Sequence, residues 1–577
     1  MVVVNAIAGG PGVAAKNARV IALTPARRCR EAWRGIGSGA HSDGFAAVVA
    51  LAHADDGRGG WVRRGALWRT QSGFPALILI FALVGCAVGP DYIPEAAPTP
   101  KNFKELKGWK VATPSDALNR GDWWTFYRDT KLNFLIGQVE ISNQTVAAQA
   151  AAYEQARALI REAQASLFPT LSAAYNATRA YNGPGAGAAG ALATGARLGA
   201  YSSTFVPGLS ATWDLDVWGK VRRQIESNAS AAQASKADLD NAKLSEQAML
   251  ATAYFNLRAA DSLHDLLERT VVQYKKTLDI VRNQFNAGYS VTAGDVATAE
   301  AQVFMTQAQA LNVAVQRAQY EHAIAMLIGR PPAELTIAPH LLTGSVPRIP
   351  VTVPTALLER RPDIAAAERT MQEENALIGV AVAAYFPDIS LSGLLQWTGT
   401  HPLPFNVANE VWSLGAAGTQ VLFEGGLRGA QVDAARAAYW QAVANYRQTV
   451  LTAFQGVEDQ LVAIHLLTQA LVVQQKAVKD AQTAVDVYLN QFQAGTIAFT
   501  TVVTAEITLL ADQEAELTFR QDLFLASVTL IEDLGGGWDN TLLPTKKELE
   551  KDISLLPQLP PNGAGLRLEP PAPSSNP

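Results

Sequence analysis

The sequence predicts an α+β membrane protein made of duplicated strand/long-helix repeats, and three features point to it. The segment Asn283-Gln284-Phe285-Asn286-Ala287-Gly288 returns as Asn490-Gln491-Phe492-Gln493-Ala494-Gly495, and an offset of 207 carries most of the apolar stripe before the first copy onto the second. Self-similarity at a fixed offset marks a repeated fold. Short runs alternate apolar and polar side chains with period two, as strands do, while long stretches space apolar residues by three and four, as paired helices do.

At 577 residues, 49% apolar but only 8% aromatic, the chain is Ala-rich and suits long helices better than compact globules. No run reaches the about 18 to 20 apolar residues of a membrane-spanning helix. The longest, 74–84, follows Arg63, Arg64 and Arg69 and ends in Leu83-Val84-Gly85-Cys86. That is the core of a lipoprotein signal peptide closing on a lipobox: the Cys86 sulfur would be acylated and the chain cut before it. No Met lies between Met1 and Cys86, whereas a start on a GTG codon at Val62 gives a signal peptide of ordinary length over 62–85. Residues 1–61 therefore read as an upstream extension.

Without residues 1–85 the chain holds 37 basic against 48 acidic side chains, a net charge near -11, which argues against nucleic acid as a partner. With Cys29 in the extension and Cys86 bearing lipid, no disulfide and no cysteine metal site remain.

Residues 86–131 form a lipid-anchored tether and equatorial segment, in which Pro90, Pro94, Pro98, Pro100 and Pro114 keep the chain to about Ser115 extended. Repeat 1 occupies 132–330. A helix runs from Leu132 to Ala165 and stops at Phe168-Pro169. Strands follow at about 170–180 and 204–217, with Leu171, Ala173, Tyr175 and Ala177 on one face of the first and Leu209, Ala211, Trp213, Leu215 and Val217 on one face of the second. The Gly/Ala-rich insertion from Tyr181 to Ser203 lies between them.

A helical hairpin over 220–328 comes next; its first arm, to Asn286, is about 100 Å long if continuous. Its seam includes Leu250, Leu257, His264, Val271, Leu278 and Phe285, and Gly288 ends it as a C-cap. After a Pro-rich linker at 331–356, repeat 2 (357–536) has strands at about 388–397 and 411–423, the last poorly patterned, and a hairpin over 426–534 turning at Gly495. Residues 537–577 read as a Pro-rich disordered tail.

Each strand is near the length of a tilted membrane strand with apolar side chains to lipid and polar ones to a wet interior, although a soluble half-buried sheet alternates the same way. Four strands cannot close a barrel, and an open edge in lipid leaves backbone groups without partners. In a membrane, several chains must combine.

The ordered motifs Gly85-Cys86-Ala87-Val88-Gly89-Pro90-Asp91-Tyr92, Trp123-Trp124-Thr125-Phe126 with Asp129, Trp213-Asp214 with Trp218-Gly219-Lys220, and Arg360-Arg361-Pro362-Asp363-Ile364 resemble the outer-membrane factor family, the TolC-like channels, over about Cys86 to Gly536. Its lipoprotein members serve tripartite efflux pumps. The resemblance implies a homotrimer forming a 12-stranded β-barrel continuous with a 12-helix periplasmic α-barrel, in the outer membrane of a Gram-negative bacterium. It also implies contact with outer-membrane lipid, a periplasmic adaptor (membrane fusion protein) and an inner-membrane pump of the resistance-nodulation-division (RND) type.

In the family the hairpin ends close the inner mouth, so Gly288, Asp295, Gly495, Thr501 and Thr504 are the candidate mouth residues. Thr501 and Thr504 stand where members carry an acidic ring, and Ile497 where some carry an Arg of the gate. Asp295, just inside a helix, equally suits a capping role.

The chain offers no candidate catalytic site. His264, His322, His340, His401 and His465 lack ligand spacing, and Arg361-Pro362-Asp363 is accounted for by a helix start with Pro at its first position and Asp at its positive end. The expectation is a non-enzyme without cofactor beyond the Cys86 lipid: a passive trimeric exit duct for small toxic compounds or drugs. The alternatives are the duct of a type I protein secretion system and, from another class, a non-pore structural coiled-coil lipoprotein.

Overall fold

A computed structural model describes residues 87–96, 99–100, 103–105, 122–182, 200–347, 349 and 359–551. The upstream extension, the signal peptide, Cys86, most of the Gly/Ala-rich insertion and the chain beyond 551 lie outside the described residues. In repeat 1, α1 (Thr130–Ser142) and α2 (Gln144–Ala165) lead to β1 (Thr170–Asn182) and β2 (Ala200–Asp214), then α3 (Lys220–Asn286) and α4 (Ala293–Leu327). Repeat 2 gives α5 (Pro362–Ala383), β3 (Asp388–Trp397), β4 (Glu410–Thr419), α6 (Leu427–Gln493) and α7 (Phe499–Asp533). The long arms α3 and α6 are 67 residues each and the return arms 35 each.

The predicted helix over 132–165 is broken at Asn143, whose backbone is extended (ψ 128°) and whose side-chain Oδ1 caps α2 by accepting from the Val146 amide. The Asn143 amide also donates to the Leu327 carbonyl at the end of α4, at 2.8 Å. Repeat 2 does the same with other chemistry: Arg361 precedes α5, and its guanidinium donates to the Asp533 carbonyl at the end of α7, at 2.7 Å. Beside each contact a glycine in the left-handed region closes the return arm. A Cβ on Gly329 would lie 2.1 Å from the Ser142 carbonyl oxygen, and one on Gly535 would lie 1.9 Å from that of Arg360. Each repeat is thus tied shut where its short helix begins.

The four strands pair antiparallel in the order β1-β2-β3-β4. The register lines up Leu171, Ala211, Gly393 and Leu414 in one row and Ala173, Leu209, Leu395 and Trp412 in another, so one face is apolar across all four strands. The opposite face carries Thr170, Thr212, Ser392 and Gly415, then Ser172, Ser210, Leu394 and Ser413. Pairing assigns the faces of β4, which its own pattern does not.

Two strands stop earlier than expected, and β2 also begins earlier, at Ala200 rather than about 204. β2 stops at Asp214 rather than 217, because the Val217 amide turns back onto the Leu215 carbonyl and the Asp216 carboxylate caps α3 through the Val221 and Arg222 amides. β4 stops at Thr419 rather than 423, because Thr419 pairs with Asp388, the first residue of β3 after Pro387, which has no amide hydrogen to extend the ladder.

Helix packing runs in the order α4–α3–α7–α6, with α2 laid along α3 and α5 against both α3 and α6. The largest core gathers Leu132, Leu135, Ile136, Leu250, Tyr254, Leu257, Ile324, Val450, Val457, Leu461 and Ile531 at the middle of the long arms, where the return arms end. The predicted seam of α3 is buried from Leu250 to Val281, with His264 half-buried, but Phe285 is exposed while Phe492 packs against Phe499 with the rings tilted by 48°.

Two segments taken as loose are fastened. The tether is a strap: the Val88 amide donates to the Trp218 carbonyl, and Arg223 donates to the Val88 carbonyl and to the Asp91 carboxylate. Asn375 of α5 donates to the Pro90 carbonyl. The tail packs as far as 551 rather than ending its order at 537, with the Trp538 indole donating to Asp240 and Leu549 buried against α2 and α3. The linker is held too. Asp261 receives Arg258, Arg317 and the His340 amide, and Arg317 also reaches the Ile337 carbonyl.

Gly535→Ala must place a methyl into the Arg360 carbonyl at φ +87°, and we expect it to destabilise the protein by about 2 kcal/mol or more in thermal unfolding. Gly137→Ala, in a helix with open space around its Cβ, should be neutral or stabilising by about 0.5–1 kcal/mol.

Candidate channel mouth and membrane anchor

The two hairpin tips lie side by side. α3 passes through Ala287 to Gly288 (φ +75°), whose amide donates to the Phe285 carbonyl while the Tyr289 amide donates to that of Gln284. The second tip repeats this at Gly495 (φ +74°), with the Gly495 amide on Phe492 and the Thr496 amide on Gln491. Both are Schellman closures, which need a residue free of the Cβ penalty at positive φ. The Gln284 side chain donates to the Phe492 carbonyl at 3.4 Å, and a cluster of Val271, Tyr274, Leu278, Val281, Val303, Phe492, Phe499 and Val502 joins the tips.

The return arms start differently. Thr292 and Asp295 form a capping box: the Asp295 amide donates to the Thr292 hydroxyl and the Asp295 carboxylate receives the Thr292 amide at 2.8 Å. Asp295 is therefore engaged at its own helix end. α7 has no side-chain cap at Ala498 and is held instead by Phe499 packed 5.4 Å from Phe492, ring centre to ring centre.

Thr501 and Thr504 are exposed on α7 and line a groove of about 480 Å³ with Thr500, Thr508, Ala481 and Tyr488. The Thr504 hydroxyl donates to the Thr500 carbonyl and that of Thr508 to the Thr504 carbonyl, so these two hydroxyls are engaged within α7. Among the described residues no group of His, Cys, Asp or Glu is placed to hold a metal ion.

Arg361, Pro362 and Asp363 lie at the far end of α7, about 50 Å from the hairpin tips along its 35 residues. Pro362 is at the first helical position and Asp363 pairs with Arg361 at 2.8 Å, while Arg361 also reaches the Asp533 carboxylate at 3.1 Å. Burial and hydrogen bonding to Arg361 act oppositely on Asp533, and burial prevails, raising its pKa.

Sequence reasoning missed Glu506, a buried carboxyl seven residues into α7. Burial pushes it up to about 7. Its spacing of three and four from Val503 and Val502 puts it on the buried stripe, which was the available signal.

The fold pairs a strip of strands with two hairpins long enough to reach well away from a membrane. A family model described as "Outer membrane efflux protein" matches residues 135–330 and 353–536, one match to each repeat. The chain belongs to the outer membrane efflux protein family. It is 30% identical over 467 residues to the pyoverdine export outer membrane protein OpmQ of Pseudomonas aeruginosa, covering 81% of this chain and 97% of that one. To the cation efflux system protein CusC of Escherichia coli it is 27% identical over 461 residues, covering 79% and 97%. The solved outer-membrane channel OprN superposes with a TM-score of 0.71 at 28% identity, covering 78% of this chain and all of that one. This member of the family is an outer-membrane channel for efflux, extending into the periplasm.

Replacing Thr292 with Ala removes the cap of α4 and should cost about 1 kcal/mol of local stability, read as faster amide exchange over 292–298 with α7 unchanged.

Proposed function

We propose that three copies of this chain close one passive exit duct, each giving four strands to a 12-stranded barrel and four long helices to a 12-helix tunnel. The observation that carries this is the sheet itself, in which β1 and β4 each pair on one side only among the described residues. A copy on either side satisfies both edges. The helix row has the same logic, since α4 and α6 are its outer members and bear exposed Phe304, Met305, Leu311, Leu466, Val472 and Val473. Three is the number at which four strands per chain make a barrel of twelve.

The energy for export then belongs to an inner-membrane RND-type pump, with a periplasmic adaptor (membrane fusion protein) between pump and mouth. The cargo class is small toxic compounds or drugs. OpmQ and CusC are named for unlike cargoes, which suits a duct that passes what its pump delivers. In this reading Cys86 bears the lipid, which is supported by its lipobox and by the strap that holds the next residue, Ala87, against Gly219 at the start of α3.

Purified protein should conduct ions in a planar bilayer, and well-folded trimers that pass no current would end the proposal. Polyvalent cations added at the periplasmic side should leave this current largely unchanged, because Thr501 and Thr504 offer no carboxylate ring, and the double variant Thr501→Asp, Thr504→Asp should gain block. Labelled palmitate should enter the wild type and be absent from Cys86→Ser; incorporation into that variant would exclude the assignment.

A further inference from the structure

We propose that Glu506 is a protonation-controlled latch between the two hairpins: neutral, it stays buried where α7 meets α3 near the tips, beside Thr277, and ionised, its cost of burial lets the two helices part. The Thr277 hydroxyl donates to the Glu506 carboxyl at 2.7 Å, and the Tyr274 hydroxyl donates to the Glu506 backbone carbonyl at 3.2 Å. Glu506, Thr277 and Tyr274 are 8%, 4% and 5% exposed. This contact lies within one chain, between neighbours already side by side, so it requires no second copy.

The two repeats treat the same position differently. The equivalent of Glu506 in repeat 1 is Glu300, which pairs with Arg282 at 2.5 Å in a half-exposed site. The repeat partner of Arg282 is Leu489, packed against the tip cluster. Repeat 2 therefore keeps the acid and replaces the base with a hydrocarbon. Tyr274 of α3 is the titratable group that contacts Glu506, Glu514 of α7 acts on Tyr274 in turn, and Glu300 of α4 is already engaged by Arg282. No cation pairs with Glu506 among the described residues.

A carboxyl in such a place favours its neutral form. Burial raises Glu506 from 4.5 to about 7, and the Thr277 hydrogen bond opposes this. When the hairpins separate, water restores the ordinary value. The group then binds its proton more tightly in the closed form, so closure is fully favoured below about 4.5 and weakens as the pH rises through about 7.

The inference rests on reading the tips as the channel mouth, but its test does not use the pore. Amide-exchange protection factors, which remove the intrinsic pH dependence of exchange, would be measured over 270–285 and 499–510 in the full chain in lipid nanodiscs at a series of pH values. Wild type should lose protection about tenfold between pH 6 and pH 8. Glu506→Gln, neutral and of the same shape, should keep it at both. Thr277→Val removes a donor that favours the ionised form and should move the loss to higher pH. Unchanged wild-type protection, a parallel loss in Glu506→Gln, or an equal loss at every pH in Thr277→Val would each overturn the latch. A channel that conducts would survive that result, and a failure to conduct would leave the exchange data standing.

Discussion

The unpaired edge governs this molecule. A strip of four strands with one apolar face leaves the outer edges of β1 and β4 without partners among the described residues. In water those edges would bond to solvent, but in hydrocarbon each unmet amide or carbonyl costs several kcal/mol. The sheet is therefore incomplete as a membrane object until copies meet edge to edge. The helices beneath follow the same order as the strands, so closing the sheet brings the exposed apolar stripes of α4 and α6 together.

Duplication fixed the framework and then let chemistry diverge within it. Asn143 and Arg361 perform one task, binding the last carbonyl of a return arm, with an amide in one repeat and a guanidinium in the other. The network on Asp261 has no counterpart in repeat 2, where Thr468, His465 and Leu523 occupy the positions of Asp261, Arg258 and Arg317. Hence the linker leaves repeat 1 pinned to the hairpin by charge. At the tips the polar cap of α4 and the aromatic pair of α7 show the same divergence.

Much of this was legible in the sequence because periodicity over dozens of residues is hard to mistake. The long arms, their glycine closures and the two strands of repeat 1 follow from spacing and from which residues accept positive φ. What escaped was fixed by contacts distant in sequence. Asn143 reads as one polar residue in a helix until Leu327 is beside it, and the Pro-rich strap reads as loose until Arg223 and Asn375 receive it. The end of β4 depends on where β3 begins, which no pattern within β4 encodes. Glu506 looked like any polar residue on a long helix, and only its place against Tyr274 and Thr277 sets it apart.

Both hairpins have arms of 67 and 35 residues, although the segments upstream of them differ in length by about eleven. A single residue added to one arm would turn everything below it by about 100° and lower its end by about 1.5 Å. The helices are matched measuring rods, and their agreement brings the two tips of one chain to the same level. The extra length of the first repeat falls upstream of α3, partly in β1 and β2, which have 13 and 15 residues against 10 each in β3 and β4.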